Sequence, residues 1–198
     1  MTNQRIADHP IDLQFVHRWS PRAFTGEAID DSLLLSFFEA ARWAPSSFNS
    51  QPWRFAYAKN NSLHWSEFVD LLSEFNRSWA QNASALVLVA SKKTFTPPGQ
   101  QNALAMPSHS FDTGAAWAYL ALQTSLSGWA SHGIGGFDRE KARERFAVPD
   151  EYAVEAIIAI GRQADKSILP EGLQAREEPS QRSPVGAFAA EGRFEFGA

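Results

Sequence analysis

The sequence predicts an α+β domain, with helices laid over a sheet. The run Ala85 to Ala90 is apolar throughout and of strand length, the pattern of a central strand buried on both faces. Segments with helical spacing, such as Leu33, Leu34, Phe37, Phe38 and Ala41, alternate with shorter apolar strands at Trp53 to Ala58 and Ala153 to Gly161. With 198 residues, 44% of them apolar and 20% charged, the chain can bury one sizeable core. One domain over 1–198 is therefore expected, with 164–198 as a C-terminal arm.

Taken in order, residues 1–10 are a polar lead-in ending at Pro10. Ile11 to Trp19 is a short helical pattern with Asp12 in its first turn, and it stops at Ser20-Pro21. Asp30 begins the next helix as its N-cap, and Ile29 and Leu34 are spaced as a hydrophobic staple. Pro45 disfavours the α conformation at Ala44 and ends that helix, while Pro52 pushes Gln51 extended and leads into the strand from Trp53. Leu63 to Phe75 reads as a second amphipathic helix. Lys92 to Ser110, with Pro97-Pro98-Gly99 and Met106-Pro107, reads as a long loop of the functional or disordered kind. Phe111 to Trp129 is the longest helix, apolar over much of its circumference and so buried. Asp138 caps a helix from Arg139 to Phe146. The tail from Ala164 is polar and punctuated by proline, although Gly192-Arg193-Phe194-Glu195-Phe196 alternates like a strand.

Composition removes several classes of function. The absence of cysteine excludes disulfides, thiol nucleophiles and cysteine-ligated metals, and no metal-ligand spacing stands out elsewhere. A net charge of −4 argues against nucleic acid as a partner. The longest apolar run is far too short to span a bilayer, and Met-Thr-Asn-Gln-Arg is followed by no apolar signal core, so a cytoplasmic setting is expected. The glycosylation-type triplets at Asn60, Asn76 and Asn82 are then chance matches. His109-Ser110-x-Asp112 is too crowded in sequence to form a catalytic triad by itself. The aromatic load, Trp 7 and Phe 15, suits packing around a flat ligand, a broad interface or a plain core.

Ala44-Pro45-Ser46-Ser47-Phe48-Asn49-Ser50-Gln51-Pro52-Trp53 is a stiffened loop of hydroxyls and amides, able to read a polar heterocycle or to serve only as an Asx/ST-turn connector. Arg18 and Arg22, flanking Ser20, have the chemistry to hold a phosphate monoester, since guanidinium forks meet its oxygens bidentately; by default such a pair is only solvated surface charge. Asn76 stands directly after the expected helix, where a C-cap is the ordinary role. Gly133-Ile134-Gly135-Gly136-Phe137-Asp138 is neither a G-x-G-x-x-G fingerprint nor a P-loop.

Together these segments resemble the nitroreductase family, homodimeric FMN enzymes that reduce substrates with NAD(P)H. The loop Pro45-Ser46-Ser47-x-Asn49-x-Gln51-Pro52-Trp53 is similar to the family's flavin-binding loop, and Arg18-Trp19-Ser20-Pro21-Arg22-x-Phe24 to its N-terminal arginine motif. Glu178-Pro179-Ser180-Gln181-Arg182-Ser183-Pro184 is similar to its C-terminal arginine motif, and the segment ending Gly136-Phe137-Asp138 to the one whose backbone lies against flavin N5. The resemblance runs from Phe15 to Phe196. It implies a three-layer α-β-α fold with a mostly antiparallel sheet, and a C-terminal arm exchanged across a homodimer.

It further implies that Arg18, Arg22 and Arg182 anchor the FMN phosphate, with Trp19 and Ser20 beside them. Gln51 and Asn76 would bond ribityl or ring oxygens. Pro45, Ser46, Ser47 and Asn49 would line the ring edge, some from the second subunit, and Gly135 and Gly136 would lie near N5. A hydride from NAD(P)H would pass through N5 to a nitroaromatic or quinone in a ping-pong cycle, the protein supplying binding and orientation rather than an acid–base pair of its own. Dehalogenation or flavin fragmentation on the same site, or a non-enzymatic module that binds a partner protein, are the alternatives. Pro21 stands where relatives carry a branched residue, and Gly135 where some carry an acidic one.

Overall fold

The structure is a computed structural model that describes residues 5–194 and 196. Its centre is a four-stranded antiparallel sheet in the order β1-β2-β6-β5: β1 is Trp53–Lys59, β2 Ala85–Lys92, β5 Ala130–Ile134 and β6 Tyr152–Gly161. Two further strands, β3 (Thr94–Phe95) and β4 (Leu104–Ala105), form a small separate ribbon. The apolar run in β2 is buried from end to end because both of its faces are covered. Val87 and Val89 point into one core with Phe37, Leu120 and Ile158, beneath α2 (Asp31–Arg42) and α5 (His109–Leu126). Leu86 and Leu88 point into a second core with Phe68, Trp79 and Ile157, beneath α3 (Trp65–Val69), α4 (Glu74–Ala80) and α6 (Arg139–Arg145). This is the expected three-layer arrangement.

The helices begin where the sequence signals them, and their lengths differ from expectation for local reasons. The first, α1, is only Leu13–His17; Asp12 is its N-cap, its carboxylate accepting from the Gln14 N–H at 2.9 Å. Asp30 occupies the N-cap position of α2 without a side-chain bond, while the staple residues Ile29 and Leu34 are both buried in the core. The expected Leu63–Phe75 helix is broken. Leu72 bridges Phe137, Asp138 N–H donates to Leu71 O, and Ser73 starts α4 as a fresh N-cap, so the chain turns where the periodicity runs on. Asn76 therefore sits in the first turn of α4 rather than after a helix.

The longest helix starts two residues earlier than its pattern and stops before Gly128, whose positive φ of 73° turns the chain toward β5. β5 itself was hidden in the glycine-rich segment, because Ser131, His132 and Gly133 give it no strand pattern. The tail is anchored for part of its length: a short α7 (Glu171–Gln174) follows Pro170, and Leu169, Leu173 and Glu177 are buried. The alternating segment at 192–196 includes Glu195, which lies outside the described residues; Gly192, Arg193 and Phe194 form no strand in the single chain.

Candidate active site

Arg18, the C-cap of α1, is held in extended backbone and sends Nη1 to Ser20 Oγ at 3.3 Å. Arg182 comes from the far end of the chain, its Nη1 donating to Ser180 Oγ at 2.8 Å and to the carbonyls of Ser180 and Gln181. Arg5, which sequence reasoning passed over, ties these segments together: its guanidinium donates to the carbonyls of Arg18 (2.8 Å), Val16 (3.1 Å) and Ser180 (2.8 Å). Burial, and then the charge of Arg182, lower the Arg18 pKa; Arg5 is lowered by burial, Arg182 and Arg18. All remain cations, because a guanidinium holds its proton across the whole working range. Among the described residues no carboxylate pairs with Arg18 or Arg182. Arg182, at the surface, stands close enough to lower the pKa of half-buried Arg18, and two such guanidiniums suit an anion.

Arg22 takes a different position. Its Nη1 lies 3.8 Å from Glu177 Oε2, and the backbone N–H groups of Arg22 and Ala23 donate to Glu177 Oε1 at 2.6 and 2.8 Å. Glu177 is 1% exposed, so a carboxylate from the tail locks the arginine segment in place and partly neutralises Arg22. Arg22 still acts on the same neighbourhood. Burial lowers the His132 pKa, the Pro21 carbonyl bonded to Nδ1 at 2.9 Å opposes that shift, and the charges of Arg22 and Arg18 add to the lowering. Trp19, half-buried, lines a cavity of about 210 Å³ with Arg18, Trp129 and Ser131. Trp129 Nε1 and Ser131 Oγ are buried there without hydrogen-bond partners.

A second group forms where β5 ends. Asn76 Nδ2 donates to the Gly136 carbonyl at 2.9 Å, and a Cβ on Gly136 would stand 2.6 Å from that nitrogen. Gly133 lies in the edge strand β5, and Gly135 and Gly136 follow just past its end, an exposed backbone surface that a flat ring can approach. At Gly135 nothing lies within 4 Å of an added Cβ, so no contact in the single chain requires glycine there.

The amide loop forms the third group. Ser47 N–H donates to Asp112 Oδ2 at 3.0 Å, and Ser108 Oγ donates to the same oxygen. Ser46 Oγ accepts from Gln51 N–H at 3.0 Å, and Gln51 Nε2 returns to the Asn49 carbonyl at 2.9 Å. Phe48, Asn49 and Gln51 all have positive φ, 54°, 52° and 48°. Gln51 is therefore left-handed rather than extended: its hydrogen bonds across the loop overrule the preference set by Pro52. Pro45 and Asn49 are exposed beside it, and Phe48, 82% exposed, stacks on Phe95. The Asp112 anchor was invisible in the sequence, since 65 residues separate it from Ser47.

The groups do not all meet in one chain. The amide loop is fixed at the N-terminal end of α5 through Asp112, whereas Arg18 and Trp19 share a cavity with Ala121, Ser125 and Gly128 at its other end. From Asp112 to Ser125 the helix rises roughly 20 Å.

The sequence profile of the nitroreductase family matches residues 16–162. The chain belongs to the nitroreductase family. As a nitroreductase-type protein it is an oxidoreductase, and several of its curated relatives are named accordingly. An oxygen-insensitive NADPH nitroreductase of Helicobacter acinonychis is 30% identical over 160 residues, 65% of this chain and 75% of that one. A putative NAD(P)H nitroreductase of Bacillus subtilis is 26% identical, over 67% and 78%. A solved oxidoreductase described as containing FMN is 45% identical, with a TM-score of 0.95 over 100% of this chain and 99% of that one. A putative nitroreductase from Desulfovibrio desulfuricans solved with FMN shares the fold, with a TM-score of 0.70 at 21% identity over 96% and 100%. No helix among the described residues is long and apolar enough to cross a membrane.

Proposed function

We propose that this nitroreductase-family chain binds FMN and passes hydride from NAD(P)H through flavin N5 to a small acceptor, a nitroaromatic or quinone. The cycle is ping-pong, in a cytoplasmic homodimer. The observation that carries the reading is the approach of Arg18 and Arg182, from opposite ends of the chain, with no carboxylate paired to either among the described residues. Their donors suit the near-dianion of a phosphate monoester, and Ser20 adds a hydroxyl. The glycine edge at Gly135 and Gly136 suits a flat ring, with Asn76 at hand as an amide. Bound FMN supplies a ring that accepts and returns two electrons with a proton. The chain's own part is to hold the phosphate with Arg18, Arg182 and Ser20, to steady the arginine segment with Glu177, and to present the Gly136 backbone. Arg22 contributes field more than direct grip, because Glu177 already engages it.

The length of α5, which keeps the amide loop away from the arginine end within one chain, supports the dimer reading. A two-fold axis that packs this helix antiparallel against its copy brings the amide loop of one chain to the arginine end of the other. In that arrangement Pro45, Ser46, Ser47, Asn49 and Gln51 complete the partner's flavin site. The test is the double variant Arg18→Gln/Arg182→Gln. Loss of two charge-assisted contacts, about 1.5 kcal/mol each at the low end, weakens FMN binding about 100-fold, so the protein purifies colourless. Full flavin occupancy in the double variant would refute the phosphate assignment.

A further inference from the structure

Glu155 is a single carboxylate in the otherwise apolar strand Tyr152–Gly161. Its placement is built. The β2–β6 register shifts between Val89 and Ala90, so that Val89 pairs with Ala156 and Ala90 with Val154, and Glu155 is the extra residue of a β-bulge. The bulge reverses the alternation: Val154 joins the core with Ile157, and Glu155 is turned toward the N-terminal end of α5. There Ser91 Oγ and Ser110 Oγ both donate to Glu155 Oε1, at 2.5 and 2.6 Å. His109 Nδ1 lies 2.7 Å from Ser91 Oγ, 3.2 Å from Ser110 Oγ and 3.6 Å from the carboxylate. Each hydroxyl has one proton and spends it on Glu155, so each faces His109 with a lone pair. The proton of the neutral ring is therefore on Nδ1, and Nε2 is left as a base.

The cluster stands beside the glycine edge. Ile134 pairs with Ile157 at the end of β5, so the glycines that follow leave the sheet near Glu155. Arg139 spans the gap, donating to the carbonyls of Gly135 (3.3 Å) and Glu155 (3.2 Å). A cavity of about 190 Å³ opens between them, walled by Trp117, Ile158 and Gly133, with Glu155, Ser110 and Thr113 as its polar lining. Thr113 Oγ1 is buried there without a partner. Two further charged groups stand near the cluster: Asp112, one turn along α5 from His109, and Arg139, on α6, which bonds the Glu155 carbonyl.

We propose that Glu155, Ser91, Ser110 and His109 form the proton supply for reduction of the acceptor. This rests on the flavin reading of the site. A quinone that receives a hydride still needs one proton to become the hydroquinone. Ser110 Oγ–H, which lines the cavity, gives that proton to the quinone oxygen and takes the Nδ1 proton of His109. A solvent proton enters at His109 Nε2 first, so the ring that gives up Nδ1–H is an imidazolium held by the Glu155 carboxylate, and the ring left protonated at Nε2 regains its Nδ1–H form by exchange with solvent. Glu155 and Ser91 are positioning residues in this scheme; Ser110 is the catalytic donor.

Two acceptors separate the steps. Ferricyanide takes electrons alone, whereas a benzoquinone takes electrons and protons. In Glu155→Gln, loaded with FMN to the wild-type level, the quinone-to-ferricyanide rate ratio is expected to fall 10-fold or more, and likewise in His109→Asn should the first variant not fold. An unchanged ratio overturns the proposal. In the flavin-free protein, ¹⁵N spectra of labelled histidine should place the His109 proton on Nδ1, and Glu155→Gln should disturb that tautomer; a proton on Nε2 in the wild type also overturns it. Failure of the wild-type protein to take up FMN would instead sink the flavin reading and leave the Nδ1 tautomer as the measure of the cluster.

Discussion

A side chain at Gly136 would displace the Asn76 amide. Asn76 Nδ2 would lie 2.6 Å from a Cβ, and the amide would have to give up its bond to the Gly136 carbonyl. Gly136→Ala should therefore cost about 1–3 kcal/mol, and adding Asn76→Ala should recover part of it, so that the two effects are less than additive in thermal unfolding. His132 gives a pH test. Its folded pKa is below the unfolded value of about 6.5, chiefly through burial, so below that pH the unfolded chain binds more protons than the folded one. Stability should fall as the pH drops through 6.5 and downward, and His132→Gln should flatten that part of the curve in urea titrations. The chemistry of Arg18, Ser20 and Arg182 was readable from residue type alone. That Glu177 would engage Arg22 was not, because a carboxylate in a polar tail looks solvated until the fold buries it.

At the scale of elements, the amide loop shows how a conformation is held from outside its own sequence. Pro45 and Pro52 mark its ends, and Asn49 tolerates a left-handed backbone, but Phe48 and Gln51 have no local reason to adopt one. Asp112 on α5 and the bonds between Ser46, Asn49 and Gln51 impose it. Asp112→Ala leaves the Ser47 N–H without its acceptor. Hydrogen exchange should quicken by 10-fold or more across Ser47–Gln51 while β2 and β6 keep their protection. Equal loss of protection in the sheet would mean that Asp112 supports the whole fold. The helix breaks and β5 belong to the same scale. Periodicity in Leu63–Phe75 ran across a turn that only the pairing of Leu72 with Phe137 creates, and β5 became a strand because β6 offered it an edge.

For the whole molecule, the outer side of α5 is the telling surface. Phe111 is 83% exposed and Leu126 64%, with Ala118 and Tyr119 exposed between them. An apolar strip of this kind along the longest helix fits contact with a second copy. Ala118→Glu on that strip should shift sedimentation toward the monomer and lower flavin occupancy together, since the amide loop then no longer reaches the partner's arginines. A yellow, fully active monomer would exclude the shared site.

The sequence alone determined the mix of helices and strands, the central strand and the arginine and amide motifs, because each is written in neighbouring residues by hydrophobic period, proline placement or donor chemistry; those motifs carried the resemblance that implied the three layers and the family. Only the tertiary structure decided that Glu177 takes Arg22, that Asp112 sets the loop, and that a bulge turns Glu155 toward His109. Those are contacts between residues far apart in the chain, and their geometry exists only once the sheet and its two covering layers have closed.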